Sequence, residues 1–187
     1  MSDGPTGRVA AAVASIAPDL AVRPAVDADA DALVALVGSA YDEYRCGPMD
    51  PDGFDADLTA PGTHTSTTGR RWWVVTAGTA VVGSVAHGPP EADDGGSTVE
   101  LARLYLAPEV RGRGLAGTLV RAVGQEAALL DVPTLTAWSD TRLVDAHRRY
   151  LRLGFHDTGA RRDLHDPAGT TEVRFDVDVS TLLSRRR

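Results

Sequence analysis

The segment from Val99 to Asp131, VELARLYLAPEVRGRGLAGTLVRAVGQEAALLD, constrains the fold more than any other stretch of the chain. It reads as an apolar strand, a turn rich in glycine and arginine, and a helix. That helix carries Leu115, Leu119, Val120, Val123, Ala127 and Leu130 on one broad face. A strand that feeds a helix through glycines leaves free backbone N–H groups and the positive end of a helix dipole beside the strand's end. Such a place seats a phosphate.

The flanking sequence supplies the rest of the domain. Ala21–Val26 predicts a short strand, with Pro24 placing it at an edge. Asp27 or Asp29 can cap a helix that carries Ala32, Leu33, Leu36, Val37, Ala40, Tyr41 and Tyr44 and stops near Arg45. Residues 46–70 read as a long loop with a short helix around Phe54–Leu58, and His64 in it reads as solvated. Trp72–Thr76 and Ala80–Ala86 predict a hairpin, followed by a surface turn over residues 88–97. Beyond the central segment come a strand at Thr134–Trp138 and a helix with Leu143, Val144, His147, Tyr150 and Leu151 on one stripe, ending at Gly154. Phe155 opens another strand, an Arg/Asp-rich loop follows, and Glu172–Val179 alternates as the last strand. A meander followed by alternating strands and helices predicts one α/β domain (α+β in its grouping) with a mixed sheet.

Bulk properties bound the function. A chain of 187 residues suits one domain with a substantial core. Its net charge of −7 argues against a nucleic-acid partner and favours a cationic acceptor. No run reaches the ~18 apolar residues of a membrane span. Cys46 is the only cysteine, so neither an intrachain disulfide nor a zinc cluster is expected, and no metal site is assigned. All 19 basic residues are arginine, so the chain has no lysine side chain to be acylated. Val9–Ala17 loosely resembles a signal segment, but Asp3 offsets Arg8 and the run is weakly hydrophobic. Residues 1–18 therefore read as a loose or helical extension, 19–180 as the domain and 181–187 as a tail, in a cytoplasmic protein that leaves room for a homodimer.

The glycine turn supports two readings. Gly112 to Gly117 spells G-x-G-x-x-G, the dinucleotide fingerprint of an oxidoreductase. However, Ala107–Arg111 separate strand from glycines, and three or more strands precede the motif. A Walker A loop is excluded because Gly-Lys-Ser/Thr is absent. The second reading includes the arginine: Arg111-x-x-Gly114-x-Ala116. With Leu104–Arg111 before it and Ala146-His147-Arg148-Arg149-Tyr150-Leu151-Arg152-Leu153-Gly154-Phe155 downstream, the chain resembles the GNAT superfamily of N-acetyltransferases over roughly Leu20–Val179.

That resemblance implies a single domain with a mixed, largely antiparallel sheet of about seven strands, splayed in the middle and flanked by helices on both faces. It implies acetyl-CoA as co-substrate, with Leu104, Tyr105 and Leu106 lying along its pantetheine arm. Arg111, Gly112, Arg113, Gly114, Leu115 and Ala116 would cradle its pyrophosphate. The implied reaction is attack by an amine of a small molecule or peptide, with Tyr150 as general acid and Glu100 as general base. Tyr41, Tyr44, His87 and Ser139 are candidate acceptor contacts, His87 being also a second candidate base. One departure stands out: many members carry Asn where this chain has Leu143, so Ser139, Thr141 or Asp145 would have to replace that contact. A non-catalytic module that binds an acyl-CoA is the alternative from another class.

Overall fold

The computed structural model describes residues 4–92 and 95–185. Its strands are β1 (Ala21–Pro24), β2 (Arg71–Ala77), β3 (Ala80–Pro90), β4 (Thr98–Leu106), β5 (Thr134–Asp140), β6 (His156–Asp163) and β7 (Thr171–Asp178). Its helices are α1 (Pro5–Ala14), α2 (Ala30–Tyr44), α3 (Pro61–Thr68), α4 (Leu115–Leu129), α5 (Val144–Leu153) and α6 (Val179–Ser184). The strands make one sheet in the order β1-β2-β3-β4-β5-β7-β6. Every neighbouring pair is antiparallel except β4 and β5, which run parallel. The expected mixed sheet of seven strands, covered on both faces, is what forms.

Period-2 alternation divides the side chains between two cores. Trp73, Val75, Val85, Val99, Leu101, Leu135, Ala137, Val173 and Phe175 turn to one face, where α1, α4, α5 and α6 cover them. Trp72, Val74 and Ala86 turn to the other, under Leu33 and Val37 of α2 and Leu58 of a 3-10 turn at Ala56–Thr59. α1 is a packed element: Val9 and Val13 are fully buried, and Arg8 donates to Glu126 on α4 at 2.7 Å. Among the described residues, no helix is long and apolar enough to cross a membrane.

Three segments differ from the sequence reading. The tract read as loop contains α3, started by Pro61 and ended by Gly69 at φ +71°. Its threonine-rich composition hides a tertiary cap, because the Asp27 carboxylate accepts from both the amide and the hydroxyl of Thr63. β6 runs on to Asp163, through what read as an Arg/Asp-rich loop, since an exposed edge strand needs no apolar alternation. The segment read as a tail carries α6, capped by Asp178 and with Leu182 fully buried against α4. The expected turn over residues 88–97 falls partly outside the described residues, at 93 and 94.

Two irregularities position the site. β4 and β5 pair only from Thr98–Thr134 to Leu101–Ala137; beyond that β4 stays with β3 and β5 stays with β7. At the parting point β4 carries a bulge. Ser84 pairs with Tyr105 and Ala86 with Ala102, so Val85 alone faces Arg103 and Leu104. Arg103 occupies the bulge at φ +49°, an uncommon conformation for a residue other than glycine.

The main core predicts the stability of the whole sheet. Leu119 on α4 is fully buried among both helices and strands. Leu119→Ala is expected to cost about 2–5 kcal/mol, read as a lower denaturant midpoint with an unchanged slope.

Candidate active site

Where β4 leaves β5, a cavity of about 310 Å³ opens between the end of β4, the start of α4 and α5. Leu104, Tyr105, Leu106, Arg111, Gly112, Gly114, Leu115 and Ala116 all line it, as does Tyr150. Gly112 and Gly114 stand at φ +77° and +80°, which is the backbone geometry that calls for glycine. Neither would meet another atom through an added Cβ, so conformation, not space, is the constraint there. Thr118 makes the first helical bond, to Gly114 O at 3.1 Å, which leaves the amides of Leu115, Ala116 and Gly117 without helical partners. These donors and the α4 dipole suit a pyrophosphate, so the residues present fit acetyl-CoA.

Arg111 shapes this loop through the backbone. Its Nε donates to Leu106 O at 2.8 Å and its guanidinium pairs with Glu43. Arg113 differs from expectation: it pairs with Asp19 at the surface and does not line the cavity. Arg149 and Arg152 of α5 do line it, and the sequence reading missed them. Their signal was available, since they lie one residue before and two after Tyr150 on a helix whose other face is apolar. Leu143 lines the cavity, and Asp145 is the polar group beside it, accepting from the Tyr44 hydroxyl at 2.8 Å. Tyr44 lines this cavity too; burial first, then Asp145, pushes its phenol up to about 12.

A second, larger cavity of about 700 Å³ lies on the sheet face covered by α2 and α3. Tyr41, Phe54, His64, Arg70, Trp138 and Arg162 are among its walls, and Glu100 and Glu172 lie in it. His64, read from the sequence as solvated, is half-buried there, and that burial lowers its pKa. Glu100 is held by Arg70 at 2.9 Å, with Arg162 4.0 Å from its other oxygen. Arg162 stacks 4.4 Å above the Trp138 ring and donates to Glu172 at 2.6 Å.

A small cavity of about 100 Å³ joins the two, passing through the gap between β4 and β5. Its walls include Tyr105, Ser139, Asp140, Tyr150 and Glu172. Tyr150 is buried against Phe155 and Phe175, with ring centroids at 5.2 and 5.5 Å, yet lines both the cofactor cavity and this neck. Burial, then the neighbouring Tyr105 and Glu172, raises its phenol well above the usual tyrosine value. The hydroxyl therefore stays protonated across the working range and is fit to donate.

His87 is a correction. It sits on the opposite face of the sheet, 1% exposed and tilted against Trp73, and lines none of these three cavities. Its place between Ala86 and Gly88 on a strand set its face, which sequence proximity to the site could not reveal.

The loop after α2 is tied to the bulge by charge. Arg103 donates to Asp55 at 2.9 Å and to Asp57 at 3.0 Å, and to Phe54 O at 2.8 Å. Tyr41 donates to the same Asp55 carboxylate at 3.2 Å and meets Tyr105 edge-on. The ion-pair side chains are 13%, 5% and 9% exposed for Arg103, Asp55 and Asp57.

Residues 68–157 match the family model described as an Acetyltransferase (GNAT) domain. The chain carries a GNAT acetyltransferase domain. It is 32% identical to N-acetyltransferase 8F1 of Rattus norvegicus over 127 residues, 67% of this chain and 55% of that protein. It is 34% identical to N-acetylaspartate synthetase of Danio rerio over 103 residues, 55% of this chain and 36% of that protein. The chain thus spans about half, or less, of the length of these curated relatives. The structure of yncA from Salmonella typhimurium, solved with its cofactor acetyl-CoA, shares the GNAT fold with a TM-score of 0.62 and 21% identity, covering 86% of this chain and 94% of that one.

The buried charge cluster gives a direct test. Arg103→Met would strand Asp55 and Asp57 without their cation and is expected to cost about 3–5 kcal/mol, measured by urea unfolding. Adding Asp57→Asn should recover part of that loss in a double-mutant cycle.

Proposed function

We propose that this chain is an acetyl-CoA-dependent N-acetyltransferase acting on a primary amine of a small molecule or peptide. The observation that carries the reading is the neck through the parted sheet. It connects a glycine-turn cavity on one side with a charged chamber on the other, and Tyr150 lines the cofactor cavity and the neck alike. The names of the relatives support the same chemistry, and one of them names an amino acid as the acetylated product.

In this reading, the amides of the glycine turn and α4 would hold the pyrophosphate, and Arg149 and Arg152, which line the same cavity, would add positive charge. When bound, acetyl-CoA supplies an activated thioester carbonyl. A main-chain N–H near Leu104 or Tyr105, on the part of β4 that has no β5 partner, would stabilise the oxyanion. Tyr150 gives its proton to the departing sulfur. Glu100 and Glu172 are the chamber carboxylates available to attract a protonated amine and accept its proton. Tyr41 and Ser139 contribute to the acceptor side as walls of the chamber and neck. A cytoplasmic setting goes with the proposal, supported by a buried lone thiol, Cys46, which burial pushes up to about 12 and keeps unreactive.

The test is release of free thiol from acetyl-CoA with L-aspartate, spermidine, phenylethylamine and an alanyl peptide as acceptors. Amine-dependent release supports the proposal; tight acetyl-CoA binding with no release for any amine would replace it with a binding module. Two variants sharpen it. Gly114→Val should weaken acetyl-CoA binding more than tenfold in calorimetry, because a β-branched residue at this φ is strained by about 1–3 kcal/mol. Tyr150→Phe should lower kcat about 10²-fold while leaving acetyl-CoA affinity within a factor of two or so.

A further inference from the structure

We infer that Glu172, at the start of the last strand, is the general base that takes the acceptor's ammonium proton. The inference rests on the acetyl-transfer reading above and deepens it. The base has to reach the neck, because the amine must meet the thioester carbonyl there. Four carboxylates line that neck: Asp55, Asp140, Asp166 and Glu172.

Three of them are committed on both oxygens. Asp55 accepts from Tyr41 and Arg103 on Oδ1 and from the Asp50 amide on Oδ2. Asp140 takes the Arg142 amide and guanidinium on Oδ1 and the same guanidinium on Oδ2. Asp166 takes the amide of Thr170 on one oxygen and its hydroxyl on the other. Glu172 differs. Its Oε2 accepts from Arg162, while its Oε1 accepts no hydrogen bond among the described residues. Glu100, the base expected from the sequence, lines the chamber but not the neck, and Arg70 and Arg162 bracket it.

The charged surroundings suit proton uptake. Burial is the largest influence and raises the Glu172 pKa; Arg162 from β6 works against it, and Glu100 from β4 and Asp140 from β5 work with it. Tyr150 from α5 and Glu172 both line the neck, and the Glu172 charge helps to raise the Tyr150 pKa. Asp166, from the turn between β6 and β7, completes the acidic wall. The sequence did not reveal this, because Glu172 read as the first polar residue of an alternating strand. Glu172 pairs with Asp140 at the end of β5, and both line the neck.

Oε1 of Glu172 takes one proton from the ammonium and passes it to solvent through the open chamber. The freed nitrogen lone pair forms the C–N bond. As the C–S bond breaks, its electron pair stays on sulfur, which takes the Tyr150 hydroxyl proton. The nitrogen, positively charged once the C–N bond forms, gives up its second proton to restore that hydroxyl and leave the neutral amide.

The test compares Glu172→Gln and Glu100→Gln with the fastest amine of the panel above. Glu172→Gln should lower kcat about 10²- to 10⁴-fold at neutral pH. Its kcat should also lose the plateau and climb tenfold per pH unit up to the amine's own pKa, while acetyl-CoA affinity holds. Glu100→Gln should keep the plateau and mainly raise KM for the amine. Independently of turnover, a carbon-13 carboxyl NMR titration, with the Glu172 signal assigned by its loss in Glu172→Gln, should show it titrating above the usual glutamate range. A plateau that survives in Glu172→Gln and vanishes in Glu100→Gln would overturn the assignment, as would a Glu172 signal titrating at or below that range. No turnover of the unsubstituted chain with any amine would instead remove the reaction, and the base role with it.

Discussion

The bulge at Arg103 is the constraint on which the rest of the site depends. A left-handed residue in the middle of a strand is strained by about 1–3 kcal/mol and persists only where its surroundings hold it. Here the holding is electrostatic: Asp55, Asp57 and the Phe54 carbonyl grip one guanidinium from a single loop. The bulge places Ala102 and Arg103 on the same face and then reverses the alternation. Tyr105 consequently faces the smaller core, while Leu104 and Leu106 pack on the larger one. The bulge lies just past Leu101, where pairing with β5 ends, and so sits at the mouth of the gap between the two strands.

That arrangement divides labour between the faces of the sheet. The face under α4 and α5 supplies amide donors, a helix dipole and Tyr150. The face under α2 and α3 supplies charge in near balance, with Arg70 and Arg162 set against Glu100 and Glu172. The net charge of the whole chain therefore says little about the acceptor, since the local pairing decides what the chamber attracts.

How much of this was legible follows from which signals are local. The turn at Gly112–Gly114 could be read letter by letter, because backbone geometry there is set by the residues themselves. Gly154 likewise announced the end of α5 through its left-handed cap, at φ +100°. Tyr150 was legible because Ala146–Phe155 resembles a segment of the GNAT family; its helical spacing alone pointed to the core. Contacts that depend on tertiary closure were not legible. α3 needs a carboxylate 36 residues away in sequence, the neck needs the bulge, and His87 was misplaced because one strand position decides which side of a sheet a side chain occupies. Arg113 looked equivalent to Arg111 in the motif, yet only Arg111 turns back onto the Leu106 carbonyl.

The absence of lysine acquires meaning beside this site. Every cation that lines the chamber and the cofactor cavity, His64 aside, is a guanidinium, which keeps its proton throughout the pH range where proteins stay folded. The positive framework is thus a fixed background against which only carboxylates, phenols, one imidazole and the substrate titrate. A guanidinium is also a poor nucleophile toward a thioester, so a chain that handles an activated acyl group presents it with no competing ε-amine. The same arginines that anchor the loops leave the protein's side chains inert to its own reagent.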